Sequence, residues 1–312
     1  MNIISKVFYK IKLRFYKYGS WEYNSIYLSF INNRDVKVLS NGINLKKLSL
    51  TTSKNEFNFL LNAYNHAVSL VDSCNASFQI LDKTLVVSLY GLKYEIQTSE
   101  EIFILNEIFV EGVYNFKTIK PVNDYVLIDI GMNVALASCY FSAIKKIPKV
   151  ISFEPFRPTF HQAIENIKLN NLTDNITPKN VGLGASDGIL KVEYASEFRG
   201  QVGMQGIDSI KSKVNNKNIE SITIKDTKAE MDKILIENET KRFIFKIDCE
   251  GAEYELIPRI PKEILNKTDI IMIEWHIKGP ANIEKWLKKH GFLMISMHPN
   301  SKSAGMIYAI KG

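Results

Sequence analysis

A chain of 312 residues with 46% hydrophobic and 23% charged residues has the composition of an ordinary folded protein, which excludes a disordered or fibrous chain. Its formal net charge of +7 admits nucleic acid, an anionic membrane or an anionic ligand, but the lysines are spread along the whole chain, and solvated faces are the plainer reading. Three scattered cysteines, Cys74, Cys139 and Cys249, exclude a disulfide framework and, with no C-x-x-C pair, a structural zinc site; they fit a reducing, cytoplasmic setting.

Residues 2–18 place Ile3, Ile4, Val7, Phe8, Ile11, Leu13 and Phe15 among basic positions, which predicts a short amphipathic helix with a cationic polar face. Its lysines and arginine interrupt the apolar run, so it reads as neither a signal peptide nor a transmembrane helix. Peripheral contact with anionic lipid is compatible with the pattern. Packing onto the chain's own domain or a sister subunit is the favoured reading, and a homo-oligomer is expected.

From Trp21 to Phe116 the pattern is mixed. A helix is expected near Asn55–Asp72, followed by an antiparallel hairpin from Ser77–Leu81 and Leu85–Tyr94, with turns at Lys83 and Gly91. A second helix, SEEIFILNEIFVEG, starts at Ser99 and ends near Gly112. Residues 1–120 are read as a lid, platform or oligomerisation region, and residues 121–312 as the main domain.

After Pro121 short apolar runs alternate with helical patterns, the signature of crossover units and a mainly parallel sheet. Seven strands are predicted: 125–130, 149–154, near 176–183, 243–248, 271–275, 292–297 and 306–311. Helices fall near 133–147, 157–170, 226–238, 251–258 and 281–290. The last two strands have only HPNSKSAG between them, so they form an antiparallel edge hairpin. Asp187–Ile224 carries Gly188, Gly200, Gly203 and Gly206 and reads as a mobile loop with a strand pair.

Three groups of residues carry chemistry. Asp129-Ile130-Gly131-Met132-Asn133 sits where the first strand ends, the ligand-binding position of open α/β sheets. A dinucleotide loop needs G-x-G-x-x-G, and only Gly131 is present, which disfavours pyrophosphate and an NAD-dependent oxidoreductase. S-adenosylmethionine has no phosphate and needs one close backbone approach plus carboxylates: Gly131 for the approach, Asp129 and Asn133 for the amino and carboxylate groups. Next, Phe153-Glu154-Pro155 ends the second strand, where an acidic residue accepts both ribose hydroxyls. Last, Lys246-Ile247-Asp248-Cys249-Glu250-Gly251-Ala252-Glu253 and Glu274-Trp275-His276 end two further strands expected to be neighbours. Asp248, Glu250, Glu274 and His276 therefore converge on the cleft, and clustered carboxylates are costly unless they serve a cation or shifted proton affinities.

DIGMN, FEP, LNN (169–171), VGLGASDG (181–188), KIDCEGAEYEL and IEWH resemble the FkbM family of S-adenosylmethionine-dependent methyltransferases, and TSEEIFILNEIFVEGVYNF resembles that family's entry segment. The resemblance runs from about Tyr94 to His276. It implies a class I methyltransferase fold, a Rossmann-like seven-stranded sheet, and O-methylation of a sugar, nucleotide-linked sugar or glycan precursor. This chain departs from the family at Val134-Ala135, where a second glycine is common.

Such a reaction needs a base to take the proton of a sugar hydroxyl, and His276 is the best candidate, with Glu274 or Asp248 orienting it or binding neighbouring hydroxyls. A divalent cation, magnesium or manganese, held by Asp248, Glu274 and His276 is the alternative, and the residue pattern leaves the two open. A small-molecule carbohydrate is the expected partner. No nucleic acid is expected, since the N/D-P-P-Y/F motif of amino-methylating enzymes is absent. The remaining reading is an inactive binding module that keeps the fold; the retained cluster speaks against it.

Overall fold

The computed structural model describes residues 35–39, 42–53, 57–194, 218–299 and 304–312. The amphipathic segment expected at residues 2–18 and the centre of the glycine-containing loop, 195–217, lie outside them. The chain divides into two compact units, residues 1–113 and 114–312. The division falls at Val113/Tyr114 rather than after Lys120, because Tyr114 and Phe116 pack their rings on Phe141 of the second unit, with centroids 5.3 and 6.2 Å apart.

In the first unit, β1 (Val36–Leu39), β2 (Gly42–Leu45) and β3 (Leu50–Ser53) form an antiparallel sheet that no sequence pattern announced. Two helices follow, α1 (Asn58–Asn62) and α2 (Tyr64–Cys74), in place of the one continuous helix expected. The expected hairpin is a three-stranded meander: β4 (Ser77–Leu81), β5 (Thr84–Leu89) and β6 (Leu92–Ile96). Its turns are Asp82-Lys83 and Tyr90-Gly91, all four with positive φ (46°, 67°, 51° and 81°), the twist that tight hairpins require. Helix α3 (Ser99–Asn106) continues through a π-helical stretch, Glu107–Glu111, and stops at Gly112 in the left-handed region.

The second unit begins with β7 (Tyr125–Ile130), every residue of which is buried, as a strand covered on both faces must be. There follow α4 (Leu136–Ala143), β8 (Lys149–Phe153), α5 (Arg157–Leu169), β9 (Ile176–Lys179), β10 (Gly182–Gly184), β11 (Gly188–Tyr194), β12 (Asn218–Asp226) and α6 (Thr227–Glu237). The chain ends with β13 (Arg242–Ile247), α7 (Glu253–Leu256), α8 (Lys262–Asn266), β14 (Thr268–His276), α9 (Ala281–Lys289), β15 (Phe292–Pro299) and β16 (Ala304–Lys311).

Seven strands form one sheet in the order β15-β16-β14-β13-β7-β8-β9. Pairings are parallel from β14 to β9, while β16 runs antiparallel to both β14 and β15, which gives the edge hairpin. This single reversed strand inserted beside an otherwise parallel sheet is the class I methyltransferase arrangement. Phe243, Phe245 and Ile247 of β13, Ile271 and Ile273 of β14, and Val126, Ile128 and Ile130 of β7 centre the core, each contributing about 1.5–3 kcal/mol by its burial.

The third predicted strand divides in two. Ile176–Lys179 joins the main sheet, whereas Gly182–Gly184 pairs in parallel with β12 in a small sheet of order β10-β12-β11. Asn180 makes the break: its amide donates to the carbonyls of Glu154 (2.9 Å) and Pro155 (3.1 Å). Among the described residues, no helix is long and apolar enough to cross a membrane.

Candidate active site

The register of the central strands brings the predicted residues to one end of the sheet. Ile247 lies level with Ile130 on one side and with Ile273 on the other, so Asp248 and Gly131 leave their strands beside Glu274, which is still within β14.

The loop after β7 is pinned from two directions. Gly131 and Met132 donate backbone N–H groups to the carbonyl of Phe153 (3.1 and 2.9 Å), and Asp248 donates to the carbonyl of Ile130 (2.9 Å). Gly131 has φ 85°, and a Cβ there would stand 1.6 Å from the carbonyl oxygen of Asp248. The neighbouring strand end therefore requires glycine at this position on its own account. Asn133 and Ala135 also have positive φ (52° and 65°), which delays the start of α4 to Leu136 instead of residue 133.

Asp129 is fully buried. Its carboxylate accepts from Ser138 Oγ (2.6 Å) and stands 3.2 Å from Lys246 Nζ, which also donates to the Gly131 carbonyl (2.6 Å) and lies 3.5 Å from Asp248. Burial alone would pull the lysine's pKa down; Asp129 and Asp248 outweigh it and hold the ammonium charged. With no exposed surface, Asp129 supports the loop through Lys246 and Ser138. Lys246 was visible only as the first letter of KIDCEGAE.

Glu154 is buried at the end of β8, and each of its oxygens takes one backbone N–H: Asn133 on Oε2 and Phe156 on Oε1, both at 3.0 Å. The carboxylate is therefore fixed in place, with accepting capacity left over for a diol. Burial pushes its pKa up to about 7. Pro155 follows it and takes its place in the turn through the Asn180 hydrogen bond.

The acidic cluster assembles from the ends of β13 and β14. Nε2 of His276 lies 3.7 Å from Glu250 Oε2 and 3.9 Å from both Asp248 Oδ1 and Glu274 Oε1. Behind the ring, Nδ1 faces Glu253 Oε1 at 3.4 Å. Glu253 is wholly buried and clamps both strand ends, accepting from the backbone of His276 (2.7 Å) and of Gly251 (2.8 Å). Burial would lower the proton affinity of His276, but Glu253, Glu250 and Asp248 overcome it and push the pKa up to about 9. Burial and then Asp248 push Glu250 up to about 8. Glu250 and Ile277 have positive φ (53° and 59°), a local strain of about 1 kcal/mol or more each of the kind that collects at functional sites.

Sequence reasoning named Asp248, Glu250, Glu274 and His276, and the structure brings all four together. It did not single out Glu253, although the residue stood in the quoted motif. Nor did it single out Tyr114, a buried tyrosine close enough to Asp248, Glu274 and Lys246 to feel their charge.

A sheet of this order, with a one-glycine first loop, a backbone-pinned carboxylate after the second strand and a cluster of carboxylates and an imidazole at the ends of the fourth and fifth, defines an S-adenosylmethionine-dependent methyltransferase. The sequence profile of the FkbM methyltransferase domain matches residues 129–294, just over half of the chain. The protein belongs to that family.

Among curated proteins the chain is similar to Methyltransferase sdnD of Sordaria araneosa, 25% identical over 227 residues that cover 64% of this chain and 85% of the relative. It is also similar to the AMB antimetabolite synthetase AmbE of Pseudomonas aeruginosa, 25% identical over 231 residues, 62% of this chain and 11% of that much longer protein. Among solved structures the chain is similar to the human methyltransferase 10 domain containing protein (15% identity, TM-score 0.40, 80% of this chain and 94% of that one). Another is M. capricolum TrmK in complex with S-adenosyl-homocysteine (13% identity, TM-score 0.32, 61% and 63%).

Proposed function

We propose that the protein methylates a hydroxyl oxygen of a carbohydrate, either a free or nucleotide-linked sugar or a surface glycan precursor, in the cytoplasm. The observation that carries this reading is the ring of Asp248, Glu250 and Glu274 around Nε2 of His276, set beside the Gly131 loop. Bound S-adenosylmethionine supplies a methyl group already activated by its sulfonium. The protein's own task is alignment and proton removal, because a sugar hydroxyl is a poor nucleophile while it keeps its proton.

Glu154 is the group suited to the ribose diol of the cofactor, and Gly131 and Asn133 shape the path of its methionine part. At the acceptor, the neutral form of His276 takes the hydroxyl proton on Nε2; with the pKa pushed up to about 9 that form grows as pH rises, and Glu253 behind Nδ1 favours the tautomer that leaves Nε2 free. Asp248 and Glu274 accept hydrogen bonds from adjacent hydroxyls. Three carboxylates at one acceptor site suit a neutral, hydroxyl-rich group and repel an RNA phosphate backbone.

The test is mass spectrometry over a panel of nucleotide-activated sugars and glycan precursors, with tRNA as the contrasting substrate. A gain of one methylene unit on a sugar is expected, and its loss in His276→Ala with S-adenosylhomocysteine binding retained. Methylation of RNA alone would overturn the reading.

A further inference from the structure

The two edges of the seven-stranded sheet are finished differently. An edge strand offers a row of unpaired backbone N–H and C=O groups, and folded chains blunt such edges with short strands, proline, charge or a bulge. At one edge, β9 has four residues, with Pro178 inside it and Lys179 at its end. At the other, β15 has eight, and its sequence FLMISMHP contains no lysine, arginine, aspartate or glutamate. Its only relief is a bulge at Ile295, between the pairs Met294–Ala309 and Ser296–Tyr308, and the terminal Pro299.

Backbone alternation identifies the groups on offer. Gly312 donates to the carbonyl of Gly291 (3.0 Å), and Phe292 lies opposite Lys311. In an antiparallel pair, residues that exchange hydrogen bonds alternate with residues that do not, so Leu293 turns its N–H and C=O toward β16 while Phe292 and Met294 turn theirs away from the sheet. Among the described residues, β15 has β16 as its one strand neighbour. Leu293 and Ile295 are also 61% and 63% exposed, apolar area of the kind that a neighbouring chain covers.

We infer that β15 is the edge along which two copies of this chain pair, antiparallel about a two-fold axis, so that one copy's sheet continues into the other's. A second copy is the occupant because the edge is complementary to itself: an antiparallel strand pair has its own two-fold axis, and the same groups serve both partners. Charge points the same way. A formal net charge of +7 opposes the approach of two copies over most of their surface, whereas along β15 no like charges come face to face. The strand spans about 27 Å, so the interface lies at the small end of the size range and forms a concentration-dependent dimer. The pairing is independent of the acceptor that the enzyme methylates.

The test is sedimentation velocity of the full-length protein over a concentration series, with Leu293→Lys and Ile295→Lys beside the wild type, together with amide hydrogen exchange across residues 291–299. The wild type is expected to be a dimer at about 100 μM and a monomer at about 1 μM. Each lysine variant should stay monomeric throughout and melt with the wild-type monomer, since lysine is tolerated at exposed positions. In the wild type, the Phe292 and Met294 amides should exchange slowly at the higher concentration and fast at the lower, and the Leu293 amide slowly at both. A wild-type monomer at about 100 μM overturns the inference. So does a dimer that both variants still form, or one in which the Phe292 and Met294 amides exchange equally fast at both concentrations.

Discussion

At the scale of single residues, charge is held at the cleft by paired burial. Lys246 and Asp129 are both inside the protein, and each is tolerable only because of the other. Removing one leaves an unpaired buried charge, so Lys246→Met should cost about 3–5 kcal/mol in chemical denaturation. The double variant Asp129→Asn/Lys246→Met should recover a large part of that loss. Equal instability of the single and double variants would show that the pair is not coupled. Gly131 is constrained by contact as well as by φ: Gly131→Ala drives a methyl group into the Asp248 carbonyl, at a cost of about 3 kcal/mol, readable as a lowered melting temperature.

Glu154 gives a pH signature. Its pKa of about 7 in the ligand-free fold stands above the ordinary carboxylate value of 4.5. The stability it contributes is therefore fully present below about 4.5 and is lost as pH rises through about 7, where a buried carboxylate must ionise. A ribose diol donates hydrogen bonds to the ionised form, so cofactor binding runs the other way. Affinity for S-adenosylhomocysteine should rise about tenfold from pH 6 to pH 8 and become nearly flat in Glu154→Gln. A steep dependence that survives the substitution would place the titrating group elsewhere.

Among the elements, β7, β8, β13 and β14 were legible because doubly covered parallel strands read as unbroken apolar runs, and YVLIDI and FIFKID do so. The strand ends carried the site with them, so Asp248, Glu274 and His276 could be placed together from order alone. What stayed hidden was set by backbone conformation and burial. Periodicity cannot show that Asn133 and Ala135 turn left-handed before α4, or that Asp129 faces inward to Ser138 and Lys246. Strands as short as VKVL and GINL in β1 and β2 carry too little pattern to be recognised. Glu253 looked like one more acidic residue opening α7, whereas it ties the β13 loop to the last residue of β14. Glu253→Ala should therefore lower kcat by about tenfold or more with cofactor affinity unchanged, and Glu253→Gln should restore part of the rate. A loss confined to KM would assign Glu253 to substrate binding instead.

For the whole molecule, the strand order and the FkbM match establish an S-adenosylmethionine-dependent methyltransferase, and the ends of β7, β8 and β13 are the proposed seat of the cofactor. Everything proposed about the acceptor depends on that cofactor being held there, with Glu154 at its ribose. The most direct measurement is calorimetric titration of the full-length protein with S-adenosylhomocysteine, wild type against Glu154→Ala. The account predicts one site per chain in the wild type and markedly weaker binding in the variant. Absence of binding in the wild type, or equal affinity in both proteins, would contradict it.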